Sequence, residues 1–202
     1  SRSMTSRARH GSRGGALGPV LEDQLRTSGL TLRHYPQSFE HSTLGGWIAT
    51  RAGGHFATLW THVDELVESV RVITPSGTLT TRRLPASGAG PSPERLFCGS
   101  EGTLGIIVEA WMRVVPRPTH RASATATFGS FARGLDALRV LAQSKLHPAN
   151  ARLLDPTEAL LAGAGAGDTA VLVLGFESAV HDVARDLDRA LEIVREAGGA
   201  PG

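Results

Sequence analysis

Two glycine-rich stretches hold most of the residues whose types and spacing could do chemistry. In Ser38-Phe39-Glu40-His41-Ser42-Thr43-Leu44-Gly45-Gly46, hydroxyls stand beside paired glycines. Glycine lets backbone N–H groups approach an anion, and Ser and Thr add donors, so this stretch suits a pyrophosphate. An ordinary polar turn ahead of a buried segment has the same composition. In Gly99-Ser100-Glu101-Gly102-Thr103-Leu104-Gly105, three glycines with hydroxyls run into a strand. That pattern is either a backbone cradle for a flat ring or phosphate, or a turn in which Ser100 caps a helix. Spacing alone names no ligand.

Other candidates are weaker. Gly163–Asp168 alternates Gly and Ala but precedes a strand, and it lacks G-x-G-x-x-G spacing, so it reads as a linker. There is no G-K-S/T phosphate loop and no G-x-S-x-G elbow. His55 and His62 are seven apart, with no H-x-x-x-H or C-x-x-C pair, so no metal site is expected. His34, His41 and His55 either line a pocket or are ordinary exposed or hydrogen-bonded histidines. Cys98 has no evident neighbouring base and reads as a buried, inert thiol. Asp155 and Glu158 begin a helix and suit capping. Arg152 stands in the apolar run Ala151-Arg152-Leu153-Leu154, where a strand arginine reaches either solvent or an anionic ligand.

The elements that must position these residues follow from periodicity. Pro19–Leu25 reads as a helix, with Glu22 and Asp23 placed for its N-terminal dipole. Gly45–Gly54, with four glycines, reads as loop and turn. His62–Val70 shows a helical face of Leu66, Val67 and Val70. Val67–Thr74 and Thr78–Arg82 flank Pro75-Ser76-Gly77 as a β-hairpin. Ala86–Pro93 is a loop, and Glu94–Phe97 a helical turn. Gly105–Val115 is a strand, with Val108, Ala110, Met112 and Val114 on one face.

Pro116 and Pro118 mark a domain boundary. Beyond it, strands at Ala122–Phe128, Ala149–Leu154 and Thr169–Phe176 alternate with helices at Phe131–Leu146, Pro156–Leu161 and Ala179–Ala197. The first helix carries an apolar stripe of Leu135, Leu138 and Leu141 or Ala142. The last carries Val183, Leu187, Leu191 and Val194. This is an α+β, split βαβ pattern, and it reads as unfinished for want of a closing strand.

Composition excludes several classes. Hydrophobic residues make up 41% of the 202, enough for a core. No apolar run approaches 18 residues, so no transmembrane segment is expected, and no secretory signal follows the basic N-terminus. Four of the 21 basic residues, Arg2, Arg7, Arg9 and Arg13, lie in the first 17 positions; without them the 19 acids outnumber the bases. The arginines read as a solvated tail, and no nucleic-acid partner is expected. Cys98 is the only cysteine, which excludes internal disulfides and suits a reducing, cytoplasmic compartment. Lys145 is the only lysine, a bias that points to a GC-rich, bacterial coding sequence.

Two segments then resemble a known family. Pro36-x-Ser38-x-Glu40-x-Ser42-Thr43-x-Gly45-Gly46-Trp47-Ile48-Ala49-Thr50-Arg51-Ala52-Gly53 is the first, and Gly99-Ser100-Glu101-Gly102-Thr103-Leu104-Gly105-Ile106-Ile107-x-Glu109-Ala110 the second. Together they resemble FAD-linked oxidases with a vanillyl-alcohol-oxidase-type (PCMH-type) FAD domain. The form is that of alkyldihydroxyacetonephosphate (alkylglycerone-phosphate) synthase and its bacterial relatives, and the similarity runs from about Gly18 to about Pro156. Gln37 stands where that synthase has an aspartate, and His41 where it has an aromatic.

The resemblance implies an α+β chain with FAD as cofactor. Residues 18–117 would be the second subdomain of the FAD domain, and 118–202 the start of a ferredoxin-like cap for a small-molecule or lipid-like substrate. Residues 1–17 would be a disordered or damaged segment, or the remnant of a strand. FAD contacts would come from Gln37, Ser38, Phe39, Glu40, His41, Ser42 and Thr43; from Thr50, Arg51, Ala52 and Gly53; and from Glu101, Gly102, Thr103, Leu104, Gly105, Ile106 and Ile107. Arg152 matches an arginine important for activity in the synthase. The resemblance leaves two chemistries at flavin N5 open: exchange of acyl for alkyl in ether-lipid synthesis, or hydride acceptance from a 2-hydroxy acid or alcohol. The 202 residues contain no Pro-x-Gly-Gly-Gly-Thr phosphate loop. The chain is therefore expected to be a fragment, a truncation or part of a split protein, needing the other FAD subdomain in cis or in trans. Alone it is expected to bind FAD weakly and to be inactive; intact relatives would be homodimers.

Overall fold

The computed structural model describes residues 9–56, 62–84 and 88–202. Residues 1–8 of the N-terminal segment, including Arg2 and Arg7, and residues 86–87 of the expected loop lie outside that range. The chain forms two compact units, 1–117 and 118–202.

In the first unit, strands β1 (Arg9–Arg13), β3 (Val67–Thr74), β4 (Gly77–Thr80) and β5 (Ile106–Arg113) form an antiparallel sheet in the order β1-β5-β3-β4. The β3–β4 hairpin forms across the Pro75–Ser76 turn, as expected. β-Branched Val67, Val70, Val72 and Ile73 favour the extended state there. Residues 9–13 lack apolar periodicity, yet they are a strand. Their backbone pairs with β5 in register Arg9↔Arg113 through Arg13↔Glu109, so pairing substitutes for local signal.

The other elements of this unit close its core. Helix α1 (Gly18–Arg26) buries Leu21 and Leu25, and the two-residue strands β2 (Leu30–Thr31) and β6 (Val115–Pro116) pair beside it. Leu44, Trp47, Ile48, Val70, Val72, Ala110 and Met112 are among the other residues of that core.

Expectations for β3, β5 and α1 change in this unit. His62–Val70 is a 3-10 turn at Val63–Glu65 followed by β3, so Val67 and Val70 belong to the strand. The single face predicted for Gly105–Val115 is broken by a bulge. Arg71 pairs Glu109 but Val72 pairs Ile107, so Val108 is extra, and Ile107 turns into the core in its place. Glu22 is buried and does not serve the α1 dipole, because the helix begins at Gly18 and Glu22 lies in its second turn. Its carboxylate accepts from Leu32 N at 2.9 Å and from Thr31 Oγ1 at 2.8 Å, and pairs with Arg117 Nη1 at 3.3 Å. It thereby ties α1 to β2 and to the end of β6.

The second unit contains β7 (His120–Phe128), α3 (Phe131–Gln143), β8 (Asn150–Leu154), α4 (Pro156–Leu161), β9 (Ala170–Ser178), α5 (Ala184–Glu196) and β10 (Ala200–Pro201). The sheet is antiparallel, in the order β10-β7-β9-β8. That is the ferredoxin-like βαββαβ arrangement with α4 inserted between β8 and β9. The fourth strand, absent from the sequence reading, is supplied by Ala200–Pro201, too short to show a period. Ala126, Phe128, Leu172, Leu174 and Phe176 face the helices. On the opposite sheet face, Leu154, Ala159 and Val171 pack beneath α4 at one end.

Helix limits and faces also shift here. Leu135 is exposed, and α3 packs instead through Gly134, Ala137 and Leu141, with Leu138 partly buried. The bare Gly134 lets the helix approach Leu153, which turns the buried stripe by one position. Helix α5 starts only at Ala184, because Ser178 Oγ accepts from Val180 N and His181 N and turns the chain. Among the described residues, no helix is long and apolar enough to cross a membrane, and no group of His, Cys, Asp or Glu could hold a metal.

Removing the Glu22 acceptor strands the Leu32 N–H in the core. We expect Glu22→Ala to lower the stability of the chain by about 2 kcal/mol in urea unfolding. An unchanged midpoint would show that the carboxylate holds nothing in place.

Candidate functional site

The first glycine-rich stretch is a helix and not the loop its composition suggested. Helix α2 (Leu44–Thr50) begins at Thr43, whose Oγ1 accepts from Gly46 N at 3.2 Å. Its other leading N–H groups are also engaged. Leu44 N donates to Ala16 O at 2.9 Å, Gly45 N to Gly14 O at 2.7 Å, and Trp47 N to Thr43 O at 2.9 Å. These N–H groups are therefore not the anion donors the sequence suggested; protein carbonyls and a hydroxyl already hold them.

Glycine is required here by close approach. A Cβ on Gly45 would lie 3.0 Å from both Gly14 O and Ile107 O, and one on Gly14 would lie 2.1 Å from Ile107 O. Helix, turn and strand thus meet backbone to backbone.

The second glycine-rich stretch completes the same helix. Gly99 N donates to Ile48 O and Glu101 N to Ala49 O, each at 2.9 Å, satisfying carbonyls at the end of α2. Arg51 takes the left-handed conformation that ends the helix (φ 52°). Its guanidinium reaches the buried Asp64 at 3.0 Å, and Arg95 reaches the same Oδ2 at 2.6 Å.

These segments converge on one cleft of about 960 Å³. Its walls include Thr43, Gly45, Gly46 and Ala49 from the first stretch, and Gly102, Gly105, Ile106 and Ile107 from the second. Val108 of β5 adds to the second set, and Gly11 to Ala16, with Val20 and Gln24 of α1, supply the remainder. Sequence reasoning missed that third contribution. Its only signal was the Gly14-Gly15 pair, hidden in a stretch rich in Arg, Ser and Gly.

The other expected residues do not line the cleft. Gln37, Ser38, Glu40 and His41 are exposed on the turn before α2. Ser42 Oγ donates to Ser38 O and accepts from Trp47 Nε1, both at 2.6 Å, and Phe39 stacks on Trp47. That turn braces the helix. Thr50 Oγ1 returns to Gly46 O at 3.0 Å, Ala52 N caps Trp47 O, and Gly53 bridges to His62. Thr103 Oγ1 donates to Ser100 O at 2.7 Å, and Leu104 is exposed beside the exposed cleft residue Ile106. Arg152 lies in the second unit and pairs with Glu158.

The remaining candidates take structural places. His34 is buried against the edge of Trp47, and burial, with His62 nearby, lowers its pKa to about 4. His55 N donates to Tyr35 O, and neither His41 nor His55 lines the cleft. Cys98 is half-buried against Glu94 O, and burial, with Asp64 adding to it, pushes the thiol up to about 11. A thiol so poorly ionised is an inert one.

A cleft of this size is ample for a cofactor. Its wall carries backbone where side chains would otherwise stand, so a flat, extended molecule fits against it. The fold and this wall define an FAD-binding flavoprotein domain. Two family models agree: "FAD binding domain" matches residues 10–82, and "FAD linked oxidases, C-terminal domain" matches residues 117–201. The chain belongs to the FAD-linked oxidase family, whose cofactor is FAD. The first unit carries the match to the FAD-binding domain, and the ferredoxin-like second unit the match to the C-terminal domain of FAD-linked oxidases.

Among its relatives, alkyldihydroxyacetonephosphate synthase of Dictyostelium discoideum is 42% identical over 147 residues, 73% of this chain and 24% of the relative. Glycolate oxidase subunit GlcD of Bacillus subtilis is 28% identical over 91% of this chain and 41% of its own. A solved alkyldihydroxyacetonephosphate synthase superposes with TM-score 0.87 at 31% identity, over 96% of this chain and 39% of that one. The chain thus spans about a quarter of the length of the synthases it matches.

Two outcomes follow from this geometry. Gly105 has φ 148°, and a Cβ there would lie 2.5 Å from Ile73 O; Gly102 has φ 79° and open space. Gly105→Ala should cost 2 kcal/mol or more, by order of magnitude, and Gly102→Ala about 1 kcal/mol, read from denaturant midpoints. For His34, the unfolded chain binds the extra proton between pH 4 and 6.5, so stability rises with pH across that window. The gain is at most on the order of 3 kcal/mol. His34→Phe should flatten the slope between those pH values, and an unaltered slope would place the titration elsewhere.

Proposed function

We propose that the first unit is one wall of an FAD cleft in an alkyldihydroxyacetonephosphate synthase-like enzyme. The convergence of Gly11–Ala16, Thr43–Ala49 and Gly102–Ile107 on a single cleft carries this reading. In it, Thr43, Gly102, Gly105, Ile106 and Ile107 are the direct cofactor contacts of the expected set. The turn Gln37–Ser42 and the helix end Thr50–Gly53, with Glu101, Thr103 and Leu104, hold that wall in place or rim it.

Bound FAD supplies the reactive flavin ring. The backbone wall positions it and excludes water from one side. The leading N–H groups of α2 are spent on Ala16, Gly14 and Thr43, which supports a reading in which the pyrophosphate takes its donors elsewhere, from another FAD subdomain in cis or in trans. Arg152, a fixed cation on a strand, binds an anionic group of a lipid-like or other small substrate. The 42% identity to a synthase favours acyl-for-alkyl exchange, giving an ether lipid, over hydride transfer from a hydroxy acid. The arginine bias supports a bacterial source, and the single cysteine a reducing cytoplasm.

Fluorescence quenching during FAD titration of the 202-residue chain tests the cofactor wall. Saturable binding at micromolar or weaker Kd is expected, and Gly45→Val should abolish it. Stoichiometric, tight binding would remove the need for a second subdomain. No saturable signal at millimolar FAD would overturn the wall itself.

A further inference from the structure

The sheet of the second unit has one face under α3 and α5 and one that the unit's own helices cover only beneath α4. Register fixes which residues share the open face. Arg152 pairs Val173, which pairs Thr125; Asn150 pairs Gly175, which pairs Ser123. These six residues therefore point the same way, and all contrast with Ala151, Leu153, Leu172 and Leu174 on the packed face. Gly175 carries no side chain, so the row of Asn150, Gly175 and Ser123 forms a low point of the face beside Arg152. Ser123 and Thr125 are exposed on the same face two strands from Arg152, and their hydroxyls add donors to that face. The row beyond is closed by Arg121, which pairs with Glu177 at 3.5 Å.

Arg152 is held at the other end. Its Nη2 contacts Oε1 of Glu158, from the first turn of α4. That is a single-point contact on a group built for two-point recognition of carboxylate or phosphate. The backbone of Glu158 is itself fixed in position. Asp155 caps α4 by accepting from Glu158 N at 2.8 Å, and Ala159 is packed beneath the helix against Leu154 and Val171. Strand and helix therefore set carboxylate and guanidinium face to face, six residues apart.

We propose that Glu158 is an internal competitor for Arg152. It occupies the guanidinium that an anionic substrate group, a phosphate monoester or carboxylate, must take over, and so sets the affinity and selectivity of that site. This rests on the reading of Arg152 as the anion-binding residue. The exchange is electrostatic and breaks no covalent bond. A ligand with two acidic oxygens displaces the single-point contact by gaining a bidentate one, whereas a singly acting anion such as chloride gains nothing over Glu158. Both partners are about half exposed, so the competition is modest.

The test uses the 202-residue chain, inorganic phosphate as probe and the Arg152 Nε–Hε signal in NMR. Arg152→Lys assigns that signal by its loss. In the wild-type chain, phosphate should shift it saturably. Glu158→Gln, which keeps the helix start, should bind phosphate about three- to fivefold more tightly. Glu158→Asp, which keeps the charge but shortens the reach, should lie between the two. A structural role alone would change the unfolding midpoint without moving phosphate affinity. If phosphate shifts the signal equally in all three chains, Glu158 is not a competitor and Arg152 stands as the anion site. If phosphate shifts it in none, the anion reading of Arg152 falls, and the competitor role with it.

Discussion

The backbone junction of Gly14, Gly45 and Ile107 is the contact on which the first unit depends. Three elements from distant parts of the chain meet there with no side chain between them. The contact is close enough for Gly45 N to bond Gly14 O, and for Gly14 N to bond Val108 O. In consequence α2 packs directly against β1 and β5. At this junction the cleft has a wall of backbone, and that part of its shape does not rearrange with rotamers. A substituent at this point would lift the helix off the sheet and deform the wall.

The ends of α2 show how the unit reconciles buried polarity with a functional surface. The N-terminal donors are answered by the Gly14–Ala16 turn and Thr43, and the C-terminal acceptors by Gly99 and Glu101. The two glycine-rich stretches thus form one structural object, a helix and the segment that closes it. Asp64 adds a second brace by drawing Arg51 and Arg95 together, although both arginines are half in water and the pairing is correspondingly modest. Glu22 performs a comparable task for α1, with a partner, Arg117, that is less exposed than Arg51 or Arg95. Satisfaction of buried polar groups and rigidity of the cleft wall are here the same set of bonds.

The second unit separates its tasks by sheet face. Alternation along β7, β8 and β9 places Ala, Leu and Phe under the helices and Ser, Thr, Asn and Arg on the other side. The insertion of α4 covers one end of that polar side and brings Glu158 to Arg152. Strand periodicity alone would leave the arginine in solvent. The helix gives it a partner and makes its availability adjustable.

Much of this was legible from residue order. The β3–β4 hairpin, β5, β7, β8 and β9 were readable because alternation and turn residues are local signals. The α+β character of the second half followed from their alternation with helices. The glycine-rich stretches pointed to a backbone surface and, through resemblance, to FAD. Tertiary structure alone decided the rest, because the causes are non-local. Arg9–Arg13 is a strand only because β5 offers it hydrogen bonds. Gly45 and Gly46 stand in a helix because a sheet edge and a turn hold its first N–H groups. The Val108 bulge, which puts Ile107 in the core, arises from pairing with β3. Ala200–Pro201 completes a sheet whose order is fixed by strands 80 and 30 residues earlier. Sequence named the chemistry-bearing segments; which atoms remain available to a ligand depended on which partners folding had already given them.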